Sequence, residues 1–206
     1  GTADIIWHLN LYIPSIGSGS VYDEKGLVIM DDINSDGILD IALGTVWGSR
    51  SVFAVSGMDG SIIWHYDTDE FGDGGWVYEV DAEHDFNNDG IRDILAASGD
   101  DGSDFGPRRV QLFNGVNGDK LWEHAFYVAM TAVISLEDIT GDSVPDVVCA
   151  SSPDYTDGYI YVLDGSTGNT INEINSNSMA VWGLCPINDI NNDGLMDYAY
   201  GDFTGT

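Results

Sequence analysis

The sequence predicts an all-β fold, a β-propeller of four-stranded antiparallel blades, and three observations support it. An acidic nine-residue string recurs four times, as DINSDGILD at 32–40, DFNNDGIRD at 85–93, DITGDSVPD at 138–146 and DINNDGLMD at 189–197, with starts 53, 53 and 51 residues apart. Between the copies a second unit recurs, an apolar run, a GxxG turn and another apolar run, in SVFAVSGMDGSIIWHY (51–66), RVQLFNGVNGDKLWEHAF (109–126) and YIYVLDGSTGNTINEI (159–174). The runs are short, rich in β-branched and aromatic residues and punctuated by Gly, Asp and Asn, which marks strands rather than helices.

Taken in order, the first period reads as four strands, LVIMDDI (27–33), ILDIALG (38–44), SVFAVSG (51–57) and SIIWHY (61–66). Four strands in about fifty residues is the period of a propeller blade. One such sheet cannot bury both its faces alone, so neighbouring blades must stack. A fourth blade is split between the ends. ADIIWHL (3–9) repeats Ile62, Ile63, Trp64 and His65 in Ile5, Ile6, Trp7 and His8 and reads as a last strand, while MAVWGLCPINDI (179–190) and LMDYAYGD (195–202) supply the first two. Residues 1–206 then form one propeller repeat domain of about four blades, the last lacking one strand. Two arrangements account for this: a portion of a longer array, or a four-bladed ring that joins its ends and accepts the missing strand from another molecule, head to tail.

With 206 residues and 43% apolar content, the chain can build a substantial core. Its 35 acidic against 6 basic side chains, net −29, argue against nucleic acid and anionic lipid as partners. No run approaches 18 apolar residues, so no membrane insertion is expected, and Gly1–Trp7 lacks the basic and apolar regions of a secretory signal. Of the acids, 28 are Asp and 7 are Glu. Asp serves turns and compact oxygen cages for hard cations, whereas Glu serves helix surfaces. Twelve of the 28 Asp fall in the four strings, which solvation alone would not arrange.

Within each string, oxygen ligands at positions 1, 3 and 5, a main-chain carbonyl at 7 and a carboxylate at 9 can converge on one centre, and all-oxygen ligation favours Ca²⁺ over Zn²⁺. Gly at position 6 (Gly37, Gly90, Gly194) allows the sharp turn. Without a cation, three clustered carboxylates repel one another. An EF-hand shares positions 1, 3, 5 and 6 but needs Glu at 12 and a following helix. Position 12 is Leu43, Ala96, Cys149 and Tyr200 in turn, and a β-type run follows each string, so the EF-hand fails on both counts.

The four strings resemble the calcium loops of FG-GAP (VCBS-type) repeats, the blades of integrin α-subunit propellers and related bacterial surface proteins. The resemblance spans nearly the whole chain. It implies that each loop joins two adjacent strands of a blade and binds Ca²⁺, up to four ions in all. Carried over by position, the ligands would be Asp32, Asn34, Asp36 and Asp40 with the carbonyl of Ile38; Asp85, Asn87, Asp89 and Asp93 with that of Ile91; and Asp189, Asn191, Asp193 and Asp197 with that of Leu195. The third loop departs, with Thr140 at position 3, Ser143 at 6 and Pro145 at 8, leaving Asp138, Asp142, Asp146 and the carbonyl of Val144, and is expected to be the weakest. The GxxG-then-Trp segments also look like quinoprotein-type propellers, a likeness that identifies only the blade and implies no quinone.

No catalytic constellation stands out, and no enzyme activity is expected. His8, His65 and His124 follow or nearly follow the repeated Trp, His84 precedes Asp85, and no Ser or Cys nucleophile lies in a recognisable motif. Trp7, Trp64 and Trp122 recur in register as packing between blades; Trp47, Trp76 and Trp182 fall outside that series and either join the core or lie on a face, where an indole can stack on a sugar or anchor a partner. No N-x-S/T sequon occurs. Cys149 and Cys185 form no CxxC pair, leaving one bridge or two thiols open. The expected protein is a secreted, prokaryotic, calcium-stabilised structural or adhesive module with a protein partner or itself as partner. The alternatives are a carbohydrate-binding propeller and the non-catalytic propeller of a larger secreted enzyme.

Overall fold

The computed structural model describes residues 4–14, 17–68, 75–99, 108–152 and 158–202. The strands are β1 (Tyr12–Ile13), β2 (Gly17–Ser20), β3 (Leu27–Ile29), β4 (Ile41–Gly44), β5 (Val46–Trp47), β6 (Ser51–Val55), β7 (Ile62–Asp67), β8 (Trp76–Asp81), β9 (Ile94–Gly99), β10 (Arg109–Phe113), β11 (Lys120–Ala125), β12 (Met130–Leu136), β13 (Asp146–Ser151), β14 (Tyr159–Leu163), β15 (Thr170–Asn175), β16 (Val181–Ile187) and β17 (Asp197–Asp202). Three antiparallel four-stranded sheets follow one another, β3-β4-β6-β7, β8-β9-β10-β11 and β12-β13-β14-β15, with a two-stranded sheet β16-β17 after them. Each follows chain order, as the repeat predicts, except that β5 is set between β4 and β6 and pairs elsewhere.

Strand alternation makes the sheets stack, because successive side chains point to opposite faces. In β9, Ile94 and Ala96 pack toward the first sheet against Met30, Ala42 and Ala54, while Leu95 and Ala97 pack toward the third against Met130, Val133 and Val147. A third cluster joins Ile134, Val148 and Ile160 to Val181 and Leu184 of β16. Fully burying one such aliphatic or aromatic side chain contributes about 1.5–3 kcal/mol, so these seams hold the sheets together. No strand pairing closes a ring among the described residues.

The N-terminal part departs from the sequence reading. Residues 4–9 form no strand and pair with neither β16 nor β17. Leu9, Leu11, Ile13 and Val21 instead pack on Leu43, Phe53 and Val55, the face of the first sheet turned away from the second. The segment therefore covers an apolar face rather than completing the fourth sheet. A small sheet β1-β2-β5, which sequence patterning did not reveal, fixes it further through the pairs Gly19↔Trp47 and Ser20↔Val46.

Trp7 nevertheless keeps the place its register predicts. Its Nε1 donates to Gly57 O at 3.1 Å, as Trp64 Nε1 does to Gly115 O at 3.0 Å and Trp122 Nε1 to Gly165 O at 2.7 Å. Each indole lies over the next sheet's GxxG turn: a Cβ on Gly60, Gly118 or Gly168 would stand 2.6–2.7 Å from the Trp ring. The corresponding residue of β15, opposite Val162, is Asn172. Cys149 is buried and Cys185 exposed, both as free thiols, and burial pushes the Cys149 thiol up.

Candidate functional site

The four acidic strings form one turn, copied four times, joining the first two strands of each sheet. In the first, both oxygens of Asp32 accept main-chain N–H groups, from Asp36 (3.0 Å) and Gly37 (2.8 Å). Asn34 Oδ1 accepts Asp36 N, and Asp36 Oδ1 accepts Ile38 N, both at 2.9 Å. Asp85, Asn87 and Asp89 repeat these bonds, as do Asp189, Asn191 and Asp193. Positions 4 and 6 are left-handed in every copy, at Ser35 and Gly37 (φ 62° and 90°), Asn88 and Gly90, Asn192 and Gly194.

The third loop keeps the path with its glycine moved. Gly141 stands at position 4 (φ 85°), and Ser143 takes the left-handed position 6 (φ 73°), where a side chain costs roughly 1–2 kcal/mol. Asp138 accepts from Gly141, Asp142 and Ser143, and the Ser143 amide in particular holds its carboxyl below the usual range. Thr140 supplies only a hydroxyl, which donates to Asp138.

The position-9 carboxylates lock the loop to its own sheet. Asp40 accepts the amides of Ile33 and, at 3.4 Å, Asn34, and reaches across to Gly57 N of the GxxG turn at 3.1 Å. Asp93 does the same with Phe86, Asn87 and Gly115, and Asp146 with Ile139, Thr140 and Gly165. Asp40, Asp93 and Asp146 are buried, and burial pushes Asp93 up to about 6 against those amides. Asp197 keeps the Ile190 amide, with no GxxG turn beside it among the described residues. The glycines of the GxxG turns are therefore part of the loop site, a role that sequence patterning did not reveal.

Among the described residues, no three His, Cys, Asp or Glu side chains form by themselves a group that could hold a metal ion. Any ion at these loops would also have to draw on the Asn amide or Thr hydroxyl at position 3 and the carbonyls of Ile38, Ile91, Val144 or Leu195. That all-oxygen set fits a hard cation. The loop tips also fit, since nothing lies within 4 Å of where a Cβ would stand on Gly37, Gly90, Gly141 or Gly194.

The histidines do not assemble a nucleophile. His84 Nδ1 is 2.7 Å from Ser135 Oγ, which donates to Asp81 Oδ2 at 2.5 Å. The hydroxyl thus sits between acid and imidazole, whereas a relay needs the imidazole between the other two. The trio ties β8 to β12, and burial raises the Asp81 carboxyl. His65 and His124 pack against Phe53 and Phe126.

The three tryptophans outside the series share one end of the molecule, opposite the acidic loops. Trp47 and Trp76 are in contact at 4.3 Å between ring centroids, Trp76 meets Tyr78 at 6.2 Å, and Tyr78 meets both Tyr22 (5.2 Å) and Trp182 (6.4 Å). Tyr22 lies nearly parallel to Trp182 at 6.4 Å. Beside these rings a recess is lined by Tyr22, Asp23, Lys25, Tyr78, Glu79, Thr131 and Trp182. A 3-10 turn at Glu24–Gly26, capped by Asp23, carries Lys25 into it. Lys25 Nζ donates to Glu79 Oε1 of β8 and to Leu184 O of β16, both at 3.1 Å. Burial pushes Glu79 up to about 7, opposed by the Lys25 charge.

The chain is similar in fold to two rhamnogalacturonan lyases. One, from Bacillus licheniformis and of family PL11, superposes with a TM-score of 0.59 at 16% identity, over 96% of this chain and 43% of its own. The other, YesW, gives 0.56 at 12% identity, over 93% and 43%. The chain thus spans less than half the length of either, and the likeness is one of fold. No protein-family model and no curated protein matches the sequence.

Proposed function

We propose that the chain is a calcium-stabilised β-propeller module acting outside the cell as a structural or adhesive unit. The observation that carries this reading is the fourfold copy of one acidic turn, with the same amide-to-carboxylate bonds on different surrounding residues. Asp32, Asn34, Asp36, Asp40 and the Ile38 carbonyl, with their counterparts in the other loops, would hold the ion. Bound there, Ca²⁺ would neutralise the clustered carboxylates and fasten the first two strands of a sheet. The loop's own residues already set the turn and anchor it to the GxxG glycines. Millimolar calcium outside cells suits loops of modest affinity.

Thermal unfolding in calcium and in chelator tests the reading. Free calcium tenfold above the dissociation constant adds about 1.4 kcal/mol per site, so several sites should raise the melting temperature by many degrees. A melting temperature unmoved by chelator would sink the proposal. A second reading is the non-catalytic propeller of a larger secreted enzyme, in keeping with the chain's spanning 43% of each of the two lyases of like fold. Formation of unsaturated sugar ends from rhamnogalacturonan by the purified chain would favour an active enzyme over both.

A further inference from the structure

Exposed aromatic rings and a buried acid–ammonium pair meet at the shallow recess beside Tyr22, Tyr78 and Trp182. Trp47, Tyr22 and Trp182 expose 60%, 46% and 44% of their surface, although they are held firmly. Trp47 is fixed with a left-handed backbone (φ 65°), a conformation costly for a bulky residue. What holds it is the β2–β5 pairing, where Gly19 lies so close to Ser49 that a Cβ there would meet its hydroxyl at 1.7 Å. A hydroxyl network of Thr45, Ser49 and Ser51 braces the same connection. The result is two exposed aromatic faces joined by the half-buried Trp76 and Tyr78.

Its floor is polar and incompletely satisfied. Glu79 is 5% exposed, and its Oε2 is buried with no hydrogen bond of good geometry among the described residues, although the Val133 amide lies close enough to favour the charged carboxylate. Lys25 spends two of its three N–H groups, on Glu79 and Leu184. Thr131 bonds to Val181 O and keeps acceptor capacity. A buried carboxylate oxygen left unpaired carries a desolvation cost that a hydroxyl-bearing ligand would remove.

The geometry selects among ligand classes. The aromatic centroids lie 5.2–6.4 Å apart, which is mutual contact, so the rings leave no cage for a cation to enter and instead present faces. An acidic ligand meets a protein of net charge −29, and the one ammonium in the recess is already engaged by Glu79. We propose that this mouth binds an uncharged saccharide, its ring faces on Trp182 and Tyr22 with Trp47 as a further platform, and its hydroxyls on Glu79 and Lys25.

The test is calorimetric titration of the calcium-saturated protein with cellohexaose, xylohexaose and mannohexaose, with polygalacturonate as the acidic comparator. Saturable binding of at least one neutral oligosaccharide is expected, quenching tryptophan fluorescence. Trp182→Ala should weaken it about tenfold or more, and Glu79→Gln, which keeps shape but not charge, several-fold. Val116→Ala, on a turn at the opposite end, should leave it unchanged. Trp182→Ala and Val116→Ala should retain the wild-type melting temperature to within a few degrees, and Glu79→Gln, whose stability differs from wild type with pH, should still give one cooperative melt above the titration temperature, which separates loss of the site from loss of the fold. No binding of any neutral probe, binding unaffected by Trp182→Ala, or preference for polygalacturonate would each overturn the proposal.

Discussion

Trp64 does two things at once: its indole N–H caps Gly115 O, and its ring fills the space above Gly118. The GxxG glycine is consequently required twice, once by its φ of 75° and once by the ring 2.6 Å from any Cβ. Gly37 faces only the first demand, having φ 90° and open space around it. Gly118→Ala should therefore cost about 3 kcal/mol, backbone strain plus displacement of the ring, and Gly37→Ala only about 1 kcal/mol. Urea midpoints measured in calcium would show the difference, and equal losses would refute the role assigned to the ring. The Trp series was legible from the sequence because it repeats. The partners of Lys25 were not, because Glu79 and Leu184 lie 54 and 159 residues away, beyond the reach of local patterning.

At the scale of elements, the runs chosen by β-branched content and turn residues match the strands of three sheets: SVFAVSG contains Ser51–Val55, and SIIWHY lies within Ile62–Asp67 plus one residue. β2 escaped because GSGS has neither β propensity nor alternation, and it pairs only because glycine permits close approach to Ser49. ADIIWHL (3–9) reads as a strand because it copies SIIWHY. The copied indole does reach its turn, but a sequence repeat does not supply the neighbouring strand a ladder needs. The acidic loops were legible in their fold, including the sharp turn at position 6. The compensation in the third was not, since the string shows Ser143 where glycine is wanted but hides that Gly141 takes the other left-handed position. Ser143→Gly should relieve that strain and raise stability by about 0.5–1 kcal/mol after the entropy of the added glycine. Under the proposed calcium reading, calorimetric calcium titration of Ser143→Gly should show tighter binding at the third loop than in wild type; unchanged binding there would mean that Thr140, not Ser143, limits it.

For the molecule as a whole, Lys25 and Glu79 bind the lead-in of the first sheet to β8 and β16. Burial raises Glu79 above its ordinary 4.5 to about 7, while Lys25 opposes the shift and Asp23 adds to it. The folded state therefore holds this proton more tightly than the unfolded chain does. Its stabilising contribution is complete below about pH 4.5 and is lost as pH rises through 7, on the order of 3 kcal/mol at most. The acidic loops carry carboxylates of their own, so the informative quantity is the gap between wild type and Glu79→Gln. The wild type should lose stability relative to the variant between pH 5 and 8, and parallel pH profiles would exclude the shift.

Asn172, standing where Trp64 and Trp122 stand in the earlier sheets, gives the stack a direction. The first two seams are pinned from their outer strands, whereas the seam between the third sheet and β16–β17 is joined near its inner strands, by the Val181 and Leu184 contacts and the Thr131 hydroxyl. A stack pinned unevenly does not come apart evenly. This one should part first at the seam between the third sheet and β16–β17, leaving the two Trp-pinned seams closed as a folded remnant.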